Sequence, residues 1–138
     1  MRLLNMKNEL VYRNLHRFLI KWEAKSKSKI QFQLKQLLKP MWQNYIVYEE
    51  FPVYSTRLKV DFVNASLKIA IELSPESHHG AYNAFFHKNK MGYIRSIGRD
   101  CKKADWLIMN KFQFLELTEE DLKNFSREYI KEKFDILL

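Results

Sequence analysis

RLKVDFVNASLKIAIELSPESHH, residues 57–79, decides how this chain reads. It holds two short apolar runs, each carrying one acid, joined by turn residues. In the first, Leu58, Val60 and Phe62 point one way and Lys59, Asp61 and Val63 the other. Asn64-Ala65-Ser66 supplies turn chemistry. In the second, Leu67, Ile69, Ile71 and Leu73 share a face; Lys68, Ala70 and Glu72 share the other, with Ser74 continuing that row. If both apolar rows belong to one core, register brings Asp61 and Glu72 to the same opposite face as diagonal cross-strand neighbours. Two carboxylates held that close repel, and one pKa rises unless a cation lies between them. A hard divalent ion answers this, because Mg²⁺ takes one or two carboxylates and fills its remaining positions with water and substrate oxygens. The plainer alternative is two solvent-facing acids balanced by Lys59 and Lys68.

Outward from this hairpin, Tyr45 to Tyr54 is rich in β-branched and aromatic residues and reads as a strand, with Pro52 placing it at an edge or a bend. Residues 6–24 read as an amphipathic helix through Leu10, Val11, Leu15, Phe18, Leu19 and Trp22. Arg13, Arg17, Lys21 and Lys25 form a basic ridge along it. A second helix spans Ile30 to Trp42, with Ile30, Leu34, Leu37, Leu38 and Met41 inward and a boundary near Pro40. Beyond Ser74, residues 76–98 are irregular and read as a functional flap or a short helix. Helix resumes near Ile97, burying Ile97, Cys101, Ala104, Leu107 and Ile108 and stopping at Asn110. Phe112 to Leu117 is a fourth strand, and Thr118 with Asp121 makes a capping-box start for a final helix. That helix carries Leu122, Phe125, Tyr129, Ile130, Phe134 and Leu137. The expected order is ααβββαβα: an α+β, α/β/α-like domain with a mixed sheet of about four strands flanked by helices.

One domain of 138 residues is large enough to bury its own core. The lone Cys101 excludes a disulfide framework within the chain, and no apolar run reaches the ~18 residues of a membrane span. The N-terminus has no signal-peptide pattern, so a cytoplasmic location in a bacterial or phage-infected cell is expected. The net charge of +8 is uneven: residues 1–47 hold ten Lys and Arg against Glu9 and Glu23, while the remainder is balanced. A localised basic surface is the electrostatic footprint of a polyanion binder.

The ordered motifs VDF-x8-IEL-S-P-x-x-H, RDCKKADWL (99–107) and KFQFLELTEEDL (111–122) resemble the PD-(D/E)XK, restriction-endonuclease-like superfamily. The likeness is nearest to the small branch related to very-short-patch repair endonucleases. It covers residues 28–122 in element order. It implies a restriction-endonuclease-like core over 45–138 behind basic N-terminal helices in 1–44, and a Mg²⁺- or Mn²⁺-dependent DNA endonuclease activity. It implies metal ligation by Asp61, Glu72 and the Leu73 carbonyl, and catalytic positions at Ser74, His78, His79 and Lys103. Asp100 and Lys103 fall on the branch's D-x-x-R pattern, with Lys for Arg. Three residues depart from the family pattern: Ser74 stands at the usual Lys or Asp, Pro75 at the usual Gly, and Gln31 where the first helix normally offers a Glu. Lys102 or Lys103 is placed to restore the missing positive charge.

Phosphodiester hydrolysis needs an activated water and neutralisation of a charged transition state, which metal held by Asp61 and Glu72 provides. His78 or His79 titrates near neutrality and suits general acid or base work. Arg13, Arg17, Lys21, Lys25, Lys27, Lys29 and Lys102 are the expected contacts to duplex or branched DNA, with a homodimer open. The alternatives are a catalytically degenerate nuclease fold that binds nucleic acid or serves assembly, and a module that meets an acidic protein. No CxxC or HxxxH spacing supports zinc, and the strand pattern of a His-Asn-His nuclease is absent.

Overall fold

The two acid-bearing runs pair as predicted. In the computed structural model, which describes residues 1–74 and 102–138, β4 (Lys59–Asn64) and β5 (Ile69–Leu73) form an antiparallel hairpin. Its turn, residues 65–68, places Lys68 at φ 60°. β3 (Val47–Pro52) lies antiparallel to β4, and β6 (Gln113–Leu117) lies parallel to β5, giving the order β3-β4-β5-β6. The parallel pair requires a crossover, and the helical residues 102–109, here α2, belong to it. α1 (Lys29–Trp42) precedes the sheet, capped by the Ser28 side chain accepting from the Gln31 N–H.

Both faces of the sheet are covered. One core joins Phe62, Ile69, Ile71, Leu115 and Leu117 to Leu34, Leu38 and Trp42 of α1 and to Ile130. The other joins Val60, Val63, Ala70 and Phe51 to Trp106 and Leu107 of α2 and to Leu3 and Leu15. Each fully buried large apolar side chain contributes about 1.5–3 kcal/mol. The expected alternation in β4 breaks at Asp61, for Val60 and Val63 share a core while Phe62 joins the other. Glu50, which faces Asp61 in the β3–β4 register, has φ 56°.

Three further expectations about the elements fail. Residues 6–24 are not a helix: β1 (Arg2–Leu4) and β2 (Leu10–Tyr12) form a hairpin, followed by a 3-10 turn at His16–Phe18. Thus residues 1–44 contain one helix, α1, and the expected order loses its first α. The reason is tertiary. Asn5 Oδ1 accepts from the Lys7 and Glu9 N–H groups and Asn8 adopts φ 64°, which makes the turn. The Trp106 indole then donates to the Leu4 carbonyl, and Asn110 hydrogen-bonds both the N–H and the carbonyl of Leu4. These bonds outweigh a helical apolar period of which only Leu15 is buried. In α2 the inward residue is Trp106, not Ile108, which is 64% exposed. The expected final helix is two: α3 (Glu119–Lys123), with the expected capping box, and α4 (Arg127–Phe134), capped by Ser126. Asp135 at φ 57° ends α4, burying Ile136 and Leu138 and leaving Leu137 exposed.

α3 and α4 are tied by one carboxylate. Buried Asp121 accepts from the Thr118 N–H and hydroxyl, from the Tyr129 hydroxyl at 2.6 Å, and from Lys133. Burial opposes its ionisation, but these donors outweigh that and hold its carboxyl below the usual range. Among the described residues, no helix is long and apolar enough to cross a membrane.

Candidate acidic site on the sheet

The Phe62–Ile71 pair is the last step of the β4–β5 ladder, and one step further Asp61 faces Glu72 directly rather than diagonally. The carboxylates replace the ladder at that step: the Leu73 N–H donates to Asp61 Oδ2 at 2.8 Å, and the Asp61 N–H donates to Glu72 Oε2 at 3.2 Å. Each acid is therefore held by the neighbouring strand's backbone, with its second oxygen available for other contacts. The same register places Glu50 of β3 beside Asp61, and Glu116 of β6 beside Glu72, so acids run across all four strands.

Two lysines answer that charge. Lys27 Nζ lies 3.0 Å from Asp61 Oδ1 and 3.4 Å from Glu50 Oε1. Lys103 Nζ, from α2, donates to Glu72 Oε1 at 2.9 Å. Lys27 is thus the cationic partner that buried Asp61 Oδ1 faces. Burial would lower the Lys27 pKa, but Asp61 and Glu50 outweigh it and raise the value. Glu72 is pushed up to about 7, first by burial and then by the Asp61 charge, with Lys103 pulling the other way.

From α1, the Gln31 side-chain amide donates to Glu49 Oε2 at 2.9 Å and Glu50 Oε1 at 3.1 Å. Glu49 also takes the Ser26 hydroxyl and the Lys35 ammonium. Sequence reasoning missed Glu49, Glu50 and Lys35. The signal was present: an adjacent acid pair inside an aromatic strand, and two polar residues, Gln31 and Lys35, on the buried i, i+3, i+4 stripe of α1 with Leu34 and Leu38.

Of the expected site residues, the structure brings Asp61, Glu72 and Lys103 together. Ser74 is buried at the end of β5, its N–H donating to the Leu117 carbonyl. Leu73 sits between Glu72 and Ser74 and serves Asp61 through its N–H. His78, His79 and Asp100 lie outside the described residues. The ridge expected along a helix from Arg13 to Lys25 does not exist as a ridge. Arg17, Lys21, Lys25 and Lys27 instead border a cleft of about 220 Å³ shared with Glu49 and Glu50. Lys25, Lys27 and Lys29 border a neighbouring cleft of about 630 Å³. Arg13 and Arg17 flank the Phe18 ring, and Lys102 is exposed on α2.

A hard divalent cation at this pair would use Asp61 Oδ1 and Glu72 Oε1, two carboxylate oxygens across the ladder, in competition with the lysine ammonium that stands beside each. Among the described residues no group of three or more His, Cys, Asp or Glu could hold a metal, so an ion here depends on two protein carboxylates plus water or substrate oxygens.

The raised Glu72 pKa has a consequence for stability. Between the usual 4.5 and about 7 the folded chain binds more protons at Glu72 than the unfolded chain does. Stability therefore falls as pH rises through that window, by on the order of 2 kcal/mol. Urea unfolding of the wild type and Glu72→Gln at pH 5 and pH 8, without divalent ions, checks this. The difference between the two proteins should grow in favour of Gln at the higher pH; parallel curves would show that Glu72 is not raised.

No family model, curated protein or solved structure matches the chain.

Proposed function

We propose that this chain is a Mg²⁺-dependent endonuclease of the PD-(D/E)XK kind, hydrolysing phosphodiester bonds in DNA. The observation that carries the reading is the direct pairing of Asp61 and Glu72, each fixed through one oxygen by the opposite strand. Support comes from the sequence of elements around the pair: α1, three antiparallel strands, α2, then a strand parallel to β5. This order, read over the described residues, is compatible with the core the sequence motifs imply, and Gln31 of α1 reaches the strand acids.

Asp61 Oδ1 and Glu72 Oε1 would hold the cation, which when bound supplies charge neutralisation at the phosphate and a more acidic water. Lys103 holds the Glu72 carboxylate in place. Arg17, Lys21, Lys25 and Lys29 surround the approach and suit the phosphates of a polynucleotide. If about five phosphates are neutralised, log affinity for duplex DNA falls against log salt with a slope of about −4 to −5, measurable by fluorescence anisotropy. A flat response would remove the DNA-binding half of the reading.

The direct test is nicking of supercoiled plasmid. Conversion to open circles with Mg²⁺ or Mn²⁺, stopped by EDTA, is expected. A second reading, a nuclease fold that binds nucleic acid without cutting it, is favoured by Ser74 at the third catalytic position and by the lysine already paired with each acid. Calorimetric titration with Mn²⁺ separates the two, since the second predicts no binding that depends on Asp61.

A further inference from the structure

We infer that Lys27 is the phosphate-contacting catalytic lysine of this site, standing in for the charge that Ser74 lacks, and that it gives up Asp61 when substrate and divalent cation arrive. The inference rests on the nuclease reading and names a residue which that reading does not require.

The two lysines at the acids differ in what they can do. Lys103 is largely enclosed against Glu72, both side chains being 16% exposed, and it makes a hydrogen bond there. Its amino group is committed. Lys27 is 58% exposed while its partner Asp61 is 4% exposed, so its ammonium stays within reach of solvent and of a ligand in the cleft. It reaches inward from a polar connection, Lys25 to Ser28, which precedes α1. Lys25, Ser26 and Lys27 line both clefts, so Lys27 stands where the open basic surface meets the buried acids.

Charge dictates the exchange. The Asp61 side chain is only 4% exposed and faces Lys27 at 3.0 Å, so water cannot take the lysine's place and the exchange needs another cation at that carboxylate. The released ammonium, already 58% exposed and lining the basic clefts, would then be free to meet a phosphate oxygen. One ion pair is thereby replaced by two, carboxylate with divalent cation and ammonium with phosphate; the cation brings two positive charges and the phosphodiester one negative, so the site gains one positive charge that further phosphate oxygens of the polynucleotide offset. Lys27 forms and breaks no covalent bond; it neutralises phosphate oxygen as charge builds there. Its four-carbon stem and three rotatable donors suit a group that changes partners.

The test measures Mn²⁺ affinity by calorimetry and plasmid nicking for the wild type, Lys27→Met, Lys27→Arg and Asp61→Asn. Lys27→Met removes the competitor for Asp61, so Mn²⁺ binds roughly tenfold more tightly. The same change removes the phosphate contact, and nicking falls about 10²-fold or more. Lys27→Arg, which keeps the charge and protects the fold, leaves Mn²⁺ affinity near the wild-type value and retains most of the nicking. A structural ion pair alone would give the opposite pattern. Lys27→Met would then cut plasmid within about threefold of wild type once folded, or bind Mn²⁺ no more tightly, and either result overturns the inference. Should Lys27→Met fail to fold, Lys27→Arg decides: a loss of nicking as large as that of Asp61→Asn overturns it. If Mn²⁺ binding does not depend on Asp61 in any variant, the nuclease reading itself fails; if binding and cutting need Asp61 but ignore Lys27, only the role of Lys27 fails.

Discussion

Asp61→Asn should abolish metal-dependent nicking, by at least about 10³-fold, while leaving the protein folded; a single electrostatic contact to a transition state already accounts for 10²–10³. The substitution is chosen to separate chemistry from structure. Asparagine keeps a side-chain oxygen able to accept from the Leu73 N–H, so the strand contact at 2.8 Å survives. It removes the charge that Lys27 answers and one cause of the raised Glu72 pKa, so Glu72 ionises more readily and its pairing with Lys103 strengthens. These changes offset one another, and the stability change should stay within about 1 kcal/mol. Glu72→Gln should lose activity to a similar degree, because it keeps an acceptor for the Asp61 N–H at 3.2 Å but not the second negative charge. Cutting by both variants at wild-type metal concentration would show that the acid pair is not the catalytic centre.

The acid pair was legible because a strand's period is short and its register strict. Phe62 and Ile71 pair in one core and bring the next residues, Asp61 and Glu72, side by side even though the alternation of β4 breaks at Asp61. The sequence alone places them as diagonal neighbours, whereas they face each other directly, because the offset depends on how many residues the turn at 65–68 consumes. The sheet strands, α1 and the Thr118–Asp121 capping box were readable from local chemistry for the same reason: period, cap and turn residues agree with the fold. The N-terminal hairpin was not. Its stability comes from Trp106 and Asn110, about a hundred positions away, and no window around Leu10 contains them. The break between α3 and α4 had a visible cause in Ser126, a good cap inside an otherwise helical period. The basic residues reached the site's vicinity without the helix that was expected to carry them, because the connection leading into α1 delivers Lys25 and Lys27 to the sheet surface.

That connection is itself held by a residue that apolar periodicity hides. Lys35 is 0% exposed on the inward stripe of α1. All three donors of its ammonium are used, on the Lys21 carbonyl at 3.1 Å, the Ala24 carbonyl at 2.8 Å and Glu49 Oε1 at 2.8 Å. It thus ties residues 21–24 to α1 and β3 at one point, upstream of Lys25 and Lys27. Lys35→Met keeps the stem's volume and deletes the ammonium. Glu49 retains Ser26 and Gln31 on its other oxygen and is partly exposed, but Oε1 and two carbonyls lose their donor. Breaking a buried pair in this way costs about 3–5 kcal/mol, and the remaining Glu49 bonds put this case near 3 kcal/mol. Urea unfolding should show the loss as a lower midpoint with an unchanged slope. Adding Glu49→Gln should recover part of it, because the stranded carboxylate charge is what makes the single change expensive. In the same variant duplex DNA affinity should fall, since Lys21, Lys25 and Lys27 lose their fixed path along the cleft, whereas Mn²⁺ bound at Asp61 and Glu72 should be retained. A loss below about 1 kcal/mol would mean that the 21–24 segment is held by its other contacts and that Lys35 is not its anchor.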